Sequence, residues 1–127
     1  MTGDIGLKIK KGYKLVYVGG HGLYSYTIWH GPYGIKYELN YWVERKEGNG
    51  PLAVFDSLED AQSFIGAQNE VSWAVYSCEY TPSKDKFLWF IDKCGNTHIA
   101  HGIPHGTRFA DKVKLLERVK GFCWKDF

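Results

Sequence analysis

Cys94, His98, His101 and His105 form the pattern C-x3-H-x2-H-x3-H, the densest gathering of chemistry-bearing side chains in the chain. Thiolate and imidazole are the donors that zinc and similar ions prefer. The spacing matches no common structural zinc motif. On a strand, successive side chains point to opposite faces, so His98 and His101 would point apart. The reading preferred is a turn and strand bearing surface histidines, with neither metal nor cofactor. Cys94 or Cys78 beside a histidine would make a nucleophile pair, because an imidazole base activates a thiol. Spacing alone does not bring such a pair together. Cys78 reads as a small buried hydrophobe and Cys123 as an exposed terminal residue.

Two further arrangements are weaker. His21 and His30 flank Tyr24-Ser25-Tyr26, which resembles the histidine and tyrosine set of nucleotide-handling ADP-ribosyltransferase-like domains. Glu79 or Glu117 would have to supply the carboxylate. Histidines at strand ends read more simply as polar turn residues. Gly19-Gly20-His21-Gly22 is glycine-rich, but a phosphate loop needs a helix N-terminus behind it, and this segment links two strands.

Binding without catalysis needs only exposed anchors. Tyr24, Tyr26, Tyr33, Trp42 and Lys36 could build a stacking platform with a basic neighbour, as single-stranded nucleic-acid binders do. A small domain, however, needs most such rings in its core. Trp42 is the exception. From Ile35 to Glu44 the residues alternate, with Ile35, Tyr37, Leu39, Tyr41 and Val43 on one face. Lys36, Glu38, Asn40, Trp42 and Glu44 lie opposite, so Trp42 stands among polar neighbours. Indole is a frequent interface anchor. Trp42, Lys36 and Glu38 are therefore the candidate partner-binding residues.

The elements that would position these residues are mostly strands. Tyr13 to Val18 is rich in β-formers and ends at two glycines. Leu23 to Trp29 follows, with Tyr24, Tyr26 and Ile28 read as its core face. A Gly/Pro turn at 31–34 then suggests a hairpin with the 35–44 strand. Leu52-Ala53-Val54-Phe55 is short and fully apolar, as a central strand is. Asp56-Ser57-Leu58-Glu59-Asp60-Ala61 offers two helix caps, Asp56 with Glu59 or Ser57 with Asp60. A helix over Leu58 to Gln68 follows, packing through Leu58, Ala61 and Ile65. Val71 to Tyr80 is a strand with Trp73 and Val75 on one side and Ala74, Tyr76 and Cys78 on the other. Phe87 to Ile91 and Thr97 to Ala100 form a hairpin across a Gly-Asn turn. Val54, Trp73, Val75, Leu88 and Phe90 are expected in one sheet. The 107–119 segment is ambiguous. Phe109, Val113 and Leu116 suit a helix, while Val113, Leu115 and Val119 alternate with cations as a strand would. The strand is preferred.

The 127 residues fit one domain, 1–127, of the α+β class. It is mainly antiparallel sheet with one principal helix. Aromatics at 17% lean the composition toward sheet. No run of about 18 apolar residues marks a membrane span. Three widely spaced cysteines form no disulfide framework, so a reduced, cytoplasmic setting is expected, and Met1 to Lys11 lacks the apolar stretch of a secretory signal. Residues 1–47 carry seven Lys/Arg against four Asp/Glu, residues 48–92 two against seven, and residues 93–127 seven against three. Basic ends sharing one face would attract nucleic acid or an acidic protein surface. Scattered lysines guarding strand edges are the plainer reading.

The order of Tyr13-Lys14-Leu15-Val16, the run Gly50-Pro51-Leu52-Ala53-Val54-Phe55-Asp56-Ser57-Leu58-Glu59-Asp60-Ala61 with Phe64, and Gly106-Thr107 through Leu116 resembles a scattered group of small uncharacterised proteins of phages, prokaryotes and mobile elements. That resemblance implies a small accessory protein and supports a strand near the C-terminus. It transfers no catalytic residue. The functional expectation is a non-catalytic binding protein, an inhibitor or adaptor, acting on a protein partner or on itself. Alternatives are a nucleic-acid-binding module and a nucleotide-handling enzyme.

Overall fold

The computed structural model describes residues 8–19, 22–25, 35–45, 50–66, 73–91, 94–99 and 103–119. Nine strands and one helix follow in chain order. They are β1 (Lys10–Gly19), β2 (Gly22–Ser25), β3 (Lys36–Tyr37), β4 (Trp42–Glu44), β5 (Leu52–Phe55), α1 (Leu58–Gly66), β6 (Trp73–Pro82), β7 (Trp89–Ile91), β8 (Thr97–Ile99) and β9 (Thr107–Val119). The chain is sheet-dominated and antiparallel throughout, with one short helix among the described residues. No described helix is long and apolar enough to cross a membrane.

Long apolar-alternating segments pair first with one another. β1 runs against β6 from Lys10↔Tyr80 to Tyr17↔Trp73. β6 runs against β9, with irregularities between Tyr76 and Cys78 and between Thr81 and Pro82. The short β5 lies against β9 from Leu52↔Ala110 to Phe55↔Thr107, and meets β1 at one pair, Tyr13↔Phe55. The pairing β1–β6–β9–β5–β1 therefore closes into a small barrel. β2 and β3 extend β1 at its other end, and β4 extends β9.

Strand alternation sorts the side chains into two cores. Val16, Tyr37, Leu52, Val54, Ala74, Tyr76, Cys78, Tyr80, Ala110, Val113 and Leu115 fill the barrel interior. Leu15, Phe55 and Val75 point outward and are covered by Ala61 and Leu58 of α1. Val75 on one face and Ala74, Tyr76 and Cys78 on the other are found as expected, and the Trp73 side chain lies outside the described residues. The helix cap is Ser57. Its Oγ accepts from the Asp60 N–H at 3.1 Å and donates to the Asp60 carboxylate at 2.9 Å. Asp56 instead pairs with Arg108 at 3.1 Å. The helix is described to Gly66, and the Ile65 side chain and residues 67–68 lie outside the described residues.

Three expectations are corrected. The 35–44 segment is not one strand. Asn40 adopts φ 66°, a left-handed conformation that asparagine tolerates, and its N–H donates to the Leu115 carbonyl at 2.8 Å. The Tyr41 N–H turns back to Glu38, so β3 joins β2 while β4 crosses to β9. Leu39 and Tyr41 are exposed as a result. In β2, Leu23 packs against the interior, although Tyr24 was expected on the core face. Phe90 belongs to a separate two-stranded ribbon with His98 opposite, and Leu88 precedes that ribbon, so neither sits in the main sheet. The 107–119 segment is the strand preferred from its sequence, and its register shift against β6 explains its mixed periodicity. Buried Ala110, Val113 and Leu115 do not keep one two-residue phase.

The ribbon is fastened by two devices. Arg45 binds the Asp85 carboxylate and Asp111 at 3.1 Å, and its guanidinium lies 5.8 Å from the Trp89 ring centre. Buried Gly50 donates its N–H to the Trp89 carbonyl at 2.7 Å. A Cβ there would collide with that carbonyl and come within 2.8 Å of the indole. Gly50→Ala is expected to loosen the ribbon by about 1–3 kcal/mol while the barrel stays folded. Hydrogen exchange should accelerate over residues 89–99 and remain unchanged in β6.

Candidate functional site

Three of the four residues proposed for metal are described, and all three are exposed. Cys94 and His98 are exposed at the ribbon turn and on β8, and His105 is exposed in the following turn. His101 lies outside the described residues. Among the described residues no group of three or more His, Cys, Asp or Glu could hold a metal ion. Of the nucleotide-handling set only the two candidate carboxylates have described side chains. Glu79 faces outward and binds Lys114 at 3.1 Å, and Glu117 is exposed. His21, His30 and the Tyr24 side chain lie outside the described residues. Gly19 pairs with Gly22 across a two-residue connection, which is a hairpin and not a phosphate loop.

The expected binding residues gather at the β3–β4 turn. Lys36 and Glu38 are exposed. Trp42 is 38% exposed, beside Leu39 at 42% and Tyr41 at 65%. Three large apolar groups thus stand within four residues, on a turn pinned by the Asn40 N–H to Leu115. The reason for Trp42's exposure is a cross-strand row. Trp42, Lys114 and Glu79 are direct neighbours on β4, β9 and β6. The Lys114 ammonium lies 5.1 Å from the Trp42 ring centre and also binds Glu79. Two residues further along both strands, Lys112 binds Glu44 at 3.3 Å. Tyr26 and Tyr33 of the stacking platform lie outside the described residues.

Those ion pairs change the reading of the charge. The basic C-terminal segment forms β9, which lies between acid-bearing neighbours. Lys112, Lys114 and Arg108 each meet a carboxylate. Along β9 these cations are interleaved with carboxylates from the two earlier blocks, and the described part of β9 presents no uniform basic face.

One group escaped the sequence reading. Lys14 shares the inward phase of Val16 and is 1% exposed inside the barrel. Its Nζ donates to the Ala53 carbonyl at 2.5 Å and lies 5.7 Å from the Tyr37 ring centre. Burial holds its ammonium well below the ordinary lysine range, at about 8, against a small opposing effect of Cys78. Burial pushes the Cys78 thiol up to about 12, so this cysteine is a neutral core residue and not an activated nucleophile. The signal was available as a lone lysine in phase with Val16.

No protein-family description, no curated protein and no solved structure matches the chain. The site must be read from its own chemistry.

Proposed function

We propose that this chain is a non-catalytic binding protein, an inhibitor or adaptor of the accessory kind, which docks a partner protein through the 39–42 turn. The observation that supports this reading is the exposed trio Leu39, Tyr41 and Trp42 on a turn held by the Asn40–Leu115 backbone hydrogen bond. Aromatic anchors ringed by polar groups dominate the energy of protein interfaces. The rim here holds charges of both signs, Lys36, Glu38 and the Lys112–Glu44 pair. Such a rim suits a protein surface of mixed charge with an apolar pocket, and not a phosphate backbone. A cytoplasmic, reduced setting accompanies the proposal.

Trp42→Ala tests it. The indole is already partly in water, so the melting temperature should fall by only a few degrees. Binding should weaken by about 2 kcal/mol or more, as for a typical anchor. The measurement is quantitative mass spectrometry of cross-linked complexes from the native host, with Phe87→Ala as an exposed apolar control. A protein retained by the parent and by the control, and lost with Trp42→Ala, supports the reading. Self-assembly by light scattering would replace the partner with a second copy. Binding to an oligonucleotide that collapses steeply with salt would overturn the proposal in favour of nucleic acid. Loss of stability matching the loss of binding would make Trp42 a core residue.

A further inference from the structure

The outer edge of β1 is shared by two strands. β2 takes Val16 to Gly19, and β5 takes only Tyr13. The handover falls at Lys14 and Leu15, where no backbone pair is made on that edge. Lys14 fills the interval with its side chain, reaching the Ala53 carbonyl on β5. Every other seam of the barrel is longer. β5 keeps four pairs to β9, and β1 keeps eight to β6. Gly12 shows how close the approach is at the seam, since a Cβ there would lie 2.8 Å from the Phe55 carbonyl and 3.0 Å from the Tyr80 ring. Phe55 is itself held outside the barrel by Leu15 and Ala61.

We propose that the Leu52–Val54 part of β5 is a door onto the barrel interior, hinged at Phe55, and that proton uptake by Lys14 favours its opening by drawing the amine out to water. Closed, the amine has one hydrogen bond and faces no carboxylate among the described residues. The titratable groups sharing the interior are Cys78, Tyr76 and Tyr80 from β6 and Tyr37 from β3. The described interior residues of β5 and β9, Leu52, Val54, Ala110, Val113 and Leu115, carry no charge. Burial of an ammonium in that setting is costly, and opening relieves it. The closed amine titrates near 8 and a hydrated one near 10.5. Opening is therefore most favoured below pH 8 and becomes progressively less so up to pH 10.5. The open door would bring Lys14 and Cys78 into contact with solvent.

The test reads Cys78 alkylation by iodoacetamide in the full chain carrying Cys94→Ser and Cys123→Ser. Each variant is compared with the parent at the same pH, and because the Lys14 charge itself favours the Cys78 thiolate, slowed alkylation supports the door only where exchange at residues 52–55 slows with it. Lys14→Met should slow alkylation at pH 7 by about tenfold or more, and the difference should shrink toward pH 10. In the parent, residues 52–55 should exchange well before β6 and β9, and Lys14→Met should slow that early exchange. Gly12→Ala should act in the opposite sense, forcing β5 outward and speeding alkylation. Residues 52–55 that exchange in the parent no earlier than β6 and β9 would mean that only global unfolding exposes the interior and would overturn the door. So would a Gly12→Ala protein that alkylates at the parent rate. If Lys14→Met does not fold, the Gly12→Ala result and the pH dependence of exchange at 52–55 in the parent decide.

Discussion

Lys14→Met is expected to raise the stability of the protein at pH 7 by about 2 kcal/mol. The amine's value in the fold, about 8, lies below the ordinary 10.5, so the unfolded chain binds its proton more tightly. A depression of that size corresponds to about 3 kcal/mol against folding when the group is charged. Losing the hydrogen bond to Ala53 returns about 1 kcal/mol of it. Below pH 8 both states are protonated and the deficit is complete. Between pH 8 and 10.5 the folded amine is neutral while the unfolded one is still charged, so the parent gains stability as pH rises. Cys78 works the other way. Its thiol stays protonated in the fold to about 12, so the unfolded state gains by ionising above 9. That contribution is present in both proteins and drops out of their difference. Thermal melts should show the variant higher by roughly 6–10 °C at pH 7, with the gap closing toward pH 10.5. A variant that melts below the parent at pH 7 would show that the Ala53 contact outweighs the buried charge.

Gly106→Ala is expected to destabilise by about 2–4 kcal/mol, the largest loss from a single added methyl group here. Gly106 has φ 83°, where a side chain is strained by roughly 1 kcal/mol. The new Cβ would also collide with the carboxylate of Asp60. That carboxylate receives the Ser57 hydroxyl at the head of α1, so relieving the collision disturbs the cap, which is worth about 1 kcal/mol. The Gly106 carbonyl also accepts from the Asp56 N–H at 2.8 Å and holds the turn before β9 to the helix entry. Chemical denaturation of Gly106→Ala, Asp60→Ala and the double variant would separate these parts. The double variant should lose less than the two single losses together, because Asp60→Ala removes the collision. Simple additivity would mean that the methyl group never meets the carboxylate.

What was legible in the residues was whatever local chemistry decides. A helix cap within 56–60, the central strand at 52–55 and the two faces of 74–80 follow from capping, apolar run and alternation, and each is found, the cap in its Ser57–Asp60 form and not as Asp56–Glu59. The break at Leu39-Asn40 was not legible, because the alternation from Ile35 to Val43 is unbroken while the backbone is not. Only the bond from Asn40 to Leu115, some seventy-five positions away, explains the turn. Trp42 is exposed as expected, yet the row through Lys114 and Glu79 that frames it depends on a three-strand register. The strand–helix ambiguity at 107–119 has a physical source in the register shift against β6. Lys14 was overlooked because lysine is almost never buried without a charged partner. The charge blocks misled for the same reason as the turn, since their pairing is entirely non-local.

β9 is the last described strand to leave the ribosome, yet β4, β5 and β6 all need it as a neighbour. Until it emerges, β4 has no partner among the described strands and the barrel has no closing seam. The nascent chain must therefore hold several aromatic-rich edges open through most of its synthesis. Such edges are where wrong pairing and aggregation begin. Expression yield should accordingly be far more sensitive to slow translation or truncation near Thr107 than the stability of the finished fold would suggest.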